Sequence, residues 1–171
     1  VPALDADTER DEALNQVCAG TLETFRTEIE QLHFSVALAA LWTLVRAGNK
    51  FIDDEEPWKL NREGKTERLA GVMRRCLEVC RVAAVLLAPV CPNKARELGD
   101  KLGIGALDVS TAGTLDGLNT GHPVAPGEPL FPRMQELPDR IQATLQELVP
   151  EAAEKAAVKA QAKAKKHAKE A

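Results

Sequence analysis

An all-α, antiparallel helix bundle is the fold this 171-residue sequence predicts, on three observations. Up to Leu102 the apolar residues recur at three-four spacing, the period of helices with one buried stripe. Pro57, Pro89 and Pro92, then Gly103 and Gly105, punctuate that pattern where helices must stop. Three long helical patterns joined by short corners pack most readily antiparallel.

The first helix is expected over about 8–31, with Thr8 as N-cap and Asp11 and Glu12 favouring the dipole of the first turn. Its inward set is Leu14, Val17 or Cys18, Leu22, Phe25, Ile29 and Leu32. The second runs from about Ser35 to Asp54. Leu38, Leu41, Val45, Asn49 and Ile52 form its stripe, and Trp42, one position off, widens it as a core residue. Pro57 lacks an amide hydrogen and drives Glu56 out of the α region, so this helix must end over 54–56. A third helix is expected over 65–87, with Leu69, Val72, Cys76, Val79, Cys80, Ala83, Leu86 and Leu87 inward. Asn93 can cap a short helix reaching Leu102.

From Gly103 to Pro132 glycine and proline dominate and no period survives. The segment reads as an irregular strap over the bundle, anchored at 129–132 with Leu130 and Phe131 buried. Leu137, Ile141, Leu145 and Leu148 mark one more amphipathic helix, opened by Pro138 and closed before Pro150. The expected organisation is a bundle with its strap over 1–134, an appended helix over 135–150 and an Ala/Lys-rich tail or linker over 151–171. The start at Val1 rather than Met suggests a segment of a longer protein.

The net charge of −4 is uneven, because residues 151–171 hold six lysines against three acids. An acidic body excludes broad binding along a duplex but is compatible with contact to a few loop nucleotides. No apolar run is long enough to span a membrane and the start is not a signal peptide, so a cytoplasmic location is expected. Cys18, Cys76, Cys80 and Cys91 contain no Cys-x-x-Cys pair and read as reduced core residues, with no metal site. His33, His122 and His167 are scattered, and none has a convincing partner for catalysis or metal binding. No acid-base or nucleophile constellation is visible, so no catalytic residue is assigned.

Trp58 is the conspicuous residue. The chain has two tryptophans and no tyrosine, and this one falls in the turn after Pro57. Lys59, Arg62 and Lys65 follow it, while Arg46 and Lys50 lie one turn apart on the exposed side of the second helix. A flat aromatic beside cations is what stacking on an unpaired base requires. An indole plugging the bundle end is the structural alternative, and charged helix faces are commonly just solvated. Asn49 and Pro57 are expected to shape the corner, with Asn49 pinning its backbone. Asp53 to Glu56 reads as a solvated helix end rather than a cation site.

Asn49-Lys50-Phe51-Ile52-Asp53, an acidic run and Pro57-Trp58-Lys59-Leu60 resemble a segment of the anticodon-binding domain of methionyl-tRNA synthetases, which are class I aminoacyl-tRNA synthetases. Leu87-Ala88-Pro89-Val90-Cys91-Pro92 resembles that family's helix-ending turn, and Pro129-Leu130-Phe131-Pro132-Arg133-Met134 its closing segment. In order, these cover about 32–134. The Pro-Trp corner is shared loosely among related synthetases; the closing Pro-Leu-Phe-Pro-Arg points to the methionine enzyme.

The resemblance implies that Trp58 stacks on a base of the CAU anticodon loop of tRNA-Met, with Lys59, Arg62, Lys50 and Arg46 near its phosphates. For a parent enzyme it implies ATP-dependent methionine attachment to tRNA. The chain has neither a Gly-rich nucleotide-binding turn nor the His-Ile-Gly-His and Lys-Met-Ser-Lys-Ser signatures. ATP and methionine would therefore bind a catalytic domain absent from this chain, and the chain alone is expected to be inactive. The family's base-reading Asn and Arg come from an earlier helix whose match would precede Val1. Arg133 matches a family position but is better read as a strap anchor. Lys155, Lys159, Lys163, Lys166 and Lys169 form a basic stripe compatible with non-specific tRNA contact or with a solubilising linker. The alternative function is a non-catalytic helical scaffold that binds protein, with Trp58 as a hot spot.

Overall fold

The protein's structure, a computed structural model, describes residues 1–2, 7–131, 141 and 143. By packing, the chain divides into a unit over 1–130 and a second over 131–171. The first unit is all-α among the described residues: α1 (Glu9–Glu30), α2 (Phe34–Glu55), the short α3 (Pro57–Arg62), α4 (Thr66–Leu87) and α5 (Pro92–Lys101). α1 packs on α2, α2 on α4, and both α3 and α5 on α4. The expected helix bundle is thus borne out.

Local chemistry sets the ends. Thr8 caps α1 in a reciprocal box with Asp11, whose carboxylate accepts the Thr8 amide at 2.7 Å. Pro92 opens α5 from its first turn, where its missing N–H costs nothing, so Asn93 lies inside the helix rather than capping it. Gly103 follows α5 at φ 69°, and a Cβ there would sit 2.8 Å from His122 Nε2 and 2.9 Å from the Pro123 carbonyl. That close approach brings the strap back across the end of α5.

The core is built from Leu14, Cys18 and Phe25 of α1, Leu41, Leu44 and Phe51 of α2, and Val72, Val82 and Leu86 of α4. The α2 seam only partly matches the expected one: Leu41 is buried and Leu38 and Val45 pack partly buried against the core, but Ala37, Leu44, Gly48 and Phe51 are its other buried residues. Asn49 is exposed and so cannot pin the corner from the core. Trp42 is 49% exposed, a correction to its core assignment, because α1 and α4 cover adjoining sides of α2 and leave the Trp42 side open. Gly48 explains the shift, since a Cβ there would lie 3.0 Å from Val79 Cγ1. At that point α2 approaches α4 closely, glycine against valine. Leu32, at φ 62° in the turn after α1, is 71% exposed and not part of the inward set.

The strap runs irregularly, as expected, with one 3-10 turn at Val109–Thr111. Ala112, Leu115 and Leu118 are its buried residues, whereas Leu130 is half-buried and Phe131 is exposed, against expectation. Polar contacts from α4 hold it. Arg81 donates to the Thr111 carbonyl at 3.0 Å and the Thr114 carbonyl at 2.7 Å. Glu78 accepts the Leu118 amide at 2.6 Å and Arg81 Nε at 2.6 Å. Arg74 donates to the Leu118 carbonyl, to Thr120 Oγ1 at 3.0 Å and to the Pro2 carbonyl at 2.9 Å. α4 is therefore buried on two sides, one apolar and one charged.

All four cysteines are free. Cys18 is buried, but Cys80 is exposed and not a core residue. Burial pushes the thiols of Cys18 and Cys76 up to about 11, so both stay protonated and inert at neutral pH. No helix among the described residues is long and apolar enough to cross a membrane. Of the appended helix and tail, only Ile141 and Ala143 are described, both helical; Arg133, His167 and the tail lysines lie outside the described residues.

Candidate functional site

The site is built on a break in the backbone. α2 ends at Glu55, and Glu56 takes the left-handed conformation at φ 47°, ψ 60°. An ordinary side chain there, ahead of a proline, is strained by roughly 1–3 kcal/mol and persists only where its surroundings over-determine it. Glu56 accordingly donates its N–H to the Ile52 carbonyl at 3.0 Å, while its own carbonyl accepts from Lys59 at 2.7 Å and Leu60 at 3.1 Å. Pro57 then occupies the first turn of α3, a one-and-a-half-turn helix in place of the simple corner expected.

No α3 residue is fully buried, although Leu60 packs against the core. Trp58 is 55% exposed, so its indole does not plug the bundle.

Trp58, Lys59 and Arg62 share α3, so the structure brings these three expected site residues together. Arg46 and Lys50 lie on α2, the helix that leads into α3. Most of the cations already have acids. Lys50 pairs with Asp54 at 2.5 Å and its ammonium holds that carboxyl below the usual range. Lys59 pairs with Glu56 at 3.4 Å and Lys65 with Glu63 at 2.9 Å. Among the described residues Arg46 and Arg62 form no ion pair; Arg46 donates to Thr43 Oγ1 at 3.3 Å. The corner is nearly balanced in charge, so it can accept few phosphate contacts.

Behind it lies a cluster that apolar patterning does not reveal. Arg68 of α4 donates through Nε to Glu55 Oε2 at 2.8 Å. It also donates through Nη1 and Nη2 to the Asp11 carboxylate at 2.7 and 3.1 Å. Its guanidinium stands 5.9 Å over the Phe51 ring. Arg10 of α1 donates to the Asp54 carbonyl at 2.7 Å and to Glu55 Oε1 at 3.1 Å. Arg75 pairs with Asp11 at 2.9 Å and with Asp7. The Glu55 side chain is thus nearly buried rather than solvated, which corrects the reading of the acidic run. One signal was available: every cation of α4 is an arginine, the residue suited to buried, forked ion pairs.

These contacts make stability pH-dependent. Burial pulls the Asp11 pKa up, but hydrogen bonds from Arg68 and Thr8 and the Arg75 charge outweigh it and hold the value below its ordinary 3.8. At Glu55, hydrogen bonds from Arg68 and Arg10 overcome burial and hold it below its ordinary 4.5. Between each lowered value and the ordinary one, the unfolded chain binds more protons than the folded chain. The contribution is therefore full above about pH 4.5 and lost as pH falls through the lowered values. Urea midpoints followed from pH 7 to pH 3 should fall in the wild type and fall less in Arg68→Gln. Parallel curves would place the acid sensitivity elsewhere.

A helix bundle with a half-exposed tryptophan on a proline-braced corner defines a helical recognition module. The family model for the anticodon binding domain of methionyl tRNA ligase matches residues 1–147, and the chain belongs to that family. It is 37% identical over 133 residues to the methionine--tRNA ligase of Bacillus subtilis (strain 168), covering 76% of this chain and 20% of that protein. To the ligase of Streptomyces coelicolor it is 33% identical over 149 residues, covering 81% and 28%. Apo Mycobacterium tuberculosis methionyl-tRNA synthetase superposes with a TM-score of 0.72 at 30% identity, over 80% of this chain and 28% of that one. The chain thus spans between a fifth and a third of the length of these relatives.

Proposed function

We propose that this domain binds the CAU anticodon loop of tRNA-Met, with the Trp58 indole as a platform on which one loop base stacks. In a full-length methionine--tRNA ligase of the cytoplasm, that contact orients the tRNA so that its acceptor end reaches the catalytic domain of the same polypeptide. ATP and methionine are handled there; the bundle takes no cofactor and contributes recognition, not chemistry. Lys59 and Arg62 stand beside the indole, and among the described residues Arg62 is the α3 cation without a carboxylate. Arg46 and Lys50 add charge from α2.

The half-exposed indole on α3, in a chain of this family, carries the reading. A stacked base contributes about 1–3 kcal/mol and tolerates any base, so specificity beyond the stack needs further groups. The test uses Trp42→Phe, which leaves Trp58 as the sole indole. Adding a CAU stem-loop should quench its fluorescence, and a scrambled loop should quench it less. Affinity should fall with salt at a slope of only a few phosphate contacts. No quenching by either loop would overturn the reading and favour a protein-binding scaffold; equal quenching by both would overturn the CAU selectivity and leave the stack.

A further inference from the structure

We propose that Arg68 is a positioning residue for Trp58: it clamps the end of α2 to α1 and thereby sets the direction in which the next corner presents the indole. The inference rests on the stacking reading above and adds to it the group that orients the platform. No residue of α3 is fully buried, and Leu60 is its one contribution to the core, so its packing on α4 is light. Besides that packing, its heading follows from the φ and ψ of Glu56 and the position of Glu55 before it. Glu55 is held from two helices at once, by Arg68 of α4 at 2.8 Å and Arg10 of α1 at 3.1 Å. Arg10 also takes the Asp54 carbonyl, one of those α2 would leave open at its C-terminus.

Arg68 is the hub, because the same guanidinium grips the fully buried Asp11 with both terminal nitrogens. Forked, charge-assisted bonds in a dry setting fix geometry as well as distance. A lysine could supply the charge but not the fork. The left-handed, pre-proline Glu56 needs such bracing, since a relaxed α2 end would let it leave a strained conformation. Once it relaxes, α3 swings and the indole loses its defined orientation.

The experiment uses the full chain carrying Trp42→Phe, so that Trp58 alone emits. Arg68→Gln should lower the time-resolved anisotropy of Trp58 without RNA present, and weaken binding of the CAU stem-loop about tenfold. Arg68→Lys should fall between wild type and Arg68→Gln in both readouts. Glu78→Gln, which loosens the strap on another part of α4, should reduce stability and move neither readout. If Arg68→Gln does not fold, Glu55→Gln, which keeps the side-chain shape and leaves Arg68 on Asp11, provides the same two measurements.

Unchanged anisotropy and affinity, with only the denaturation midpoint displaced, would overturn the positioning role. Lower anisotropy with unchanged affinity would support the clamp and count against base stacking. If Trp58→Ala also leaves affinity intact, stacking itself is wrong, and the RNA-free anisotropy still decides the clamp.

Discussion

Trp58→Ala is expected to abolish measurable binding of a CAU anticodon stem-loop while leaving the helical circular dichroism unchanged. The fold should tolerate it because the indole is 55% exposed and α3 contributes only Leu60 to the core. Binding should not, because little else nearby can replace a stack worth about 1–3 kcal/mol. Lys50, Lys59 and Lys65 are each engaged with a local carboxylate, so recruiting them to phosphate means breaking those pairs. Trp58→Phe keeps an aromatic face and should retain most of the affinity. Equilibrium titration of both variants, with circular dichroism as control, checks this. Full affinity in a folded Trp58→Ala protein would remove Trp58 from the interface.

The largest loss of stability is expected from Glu78→Ala. Glu78 is fully buried and accepts both Arg81 Nε and the Leu118 amide. Removing it leaves the Arg81 guanidinium without its counter-charge and a strap amide without an acceptor. Breaking one partner of a buried pair costs about 3–5 kcal/mol, a large part of the roughly 5–15 kcal/mol that stabilises a domain. Glu78→Gln keeps an oxygen for the Leu118 amide and should cost less. Urea denaturation should show a lower midpoint for both, with Ala the lower. A change in Glu78→Ala below about 1 kcal/mol, the scale of an exposed pair, would mean that the strap is held by its apolar residues alone.

Helix positions were legible in the sequence because their signals are local. Thr8 and Asp11 cap α1 from within four residues, and Pro57, Pro92 and Gly103 act on their own backbone. The α2 seam was less legible. Leu38 and Val45 flank the true seam and are partly buried, but the close approach of Val79 puts Gly48, which carries little hydrophobic signal, within it. The same error turned Asn49 inward and counted Trp42 as core.

For the site, the order of residues from Phe51 to Leu60 was enough to single out Trp58 and its basic neighbours. Sequence order did not show that Lys59 and Lys65 already have acids. The bracing of the corner was hidden altogether. Arg68, Asp11 and Glu55 are separated by 13 to 57 positions and meet only when α1, α2 and α4 pack.

What this sequence settles without a fold is the three long helices and the short one after Pro92, the break at Pro57 and the family to which the corner belongs, since propensity, capping and proline chemistry act over a few residues. Tertiary structure alone decides which side of each helix is dry, which charges are spent on one another and what holds Trp58 in place. Those depend on partners distant in the chain, and a buried charge has meaning only once the group that pairs with it is in position.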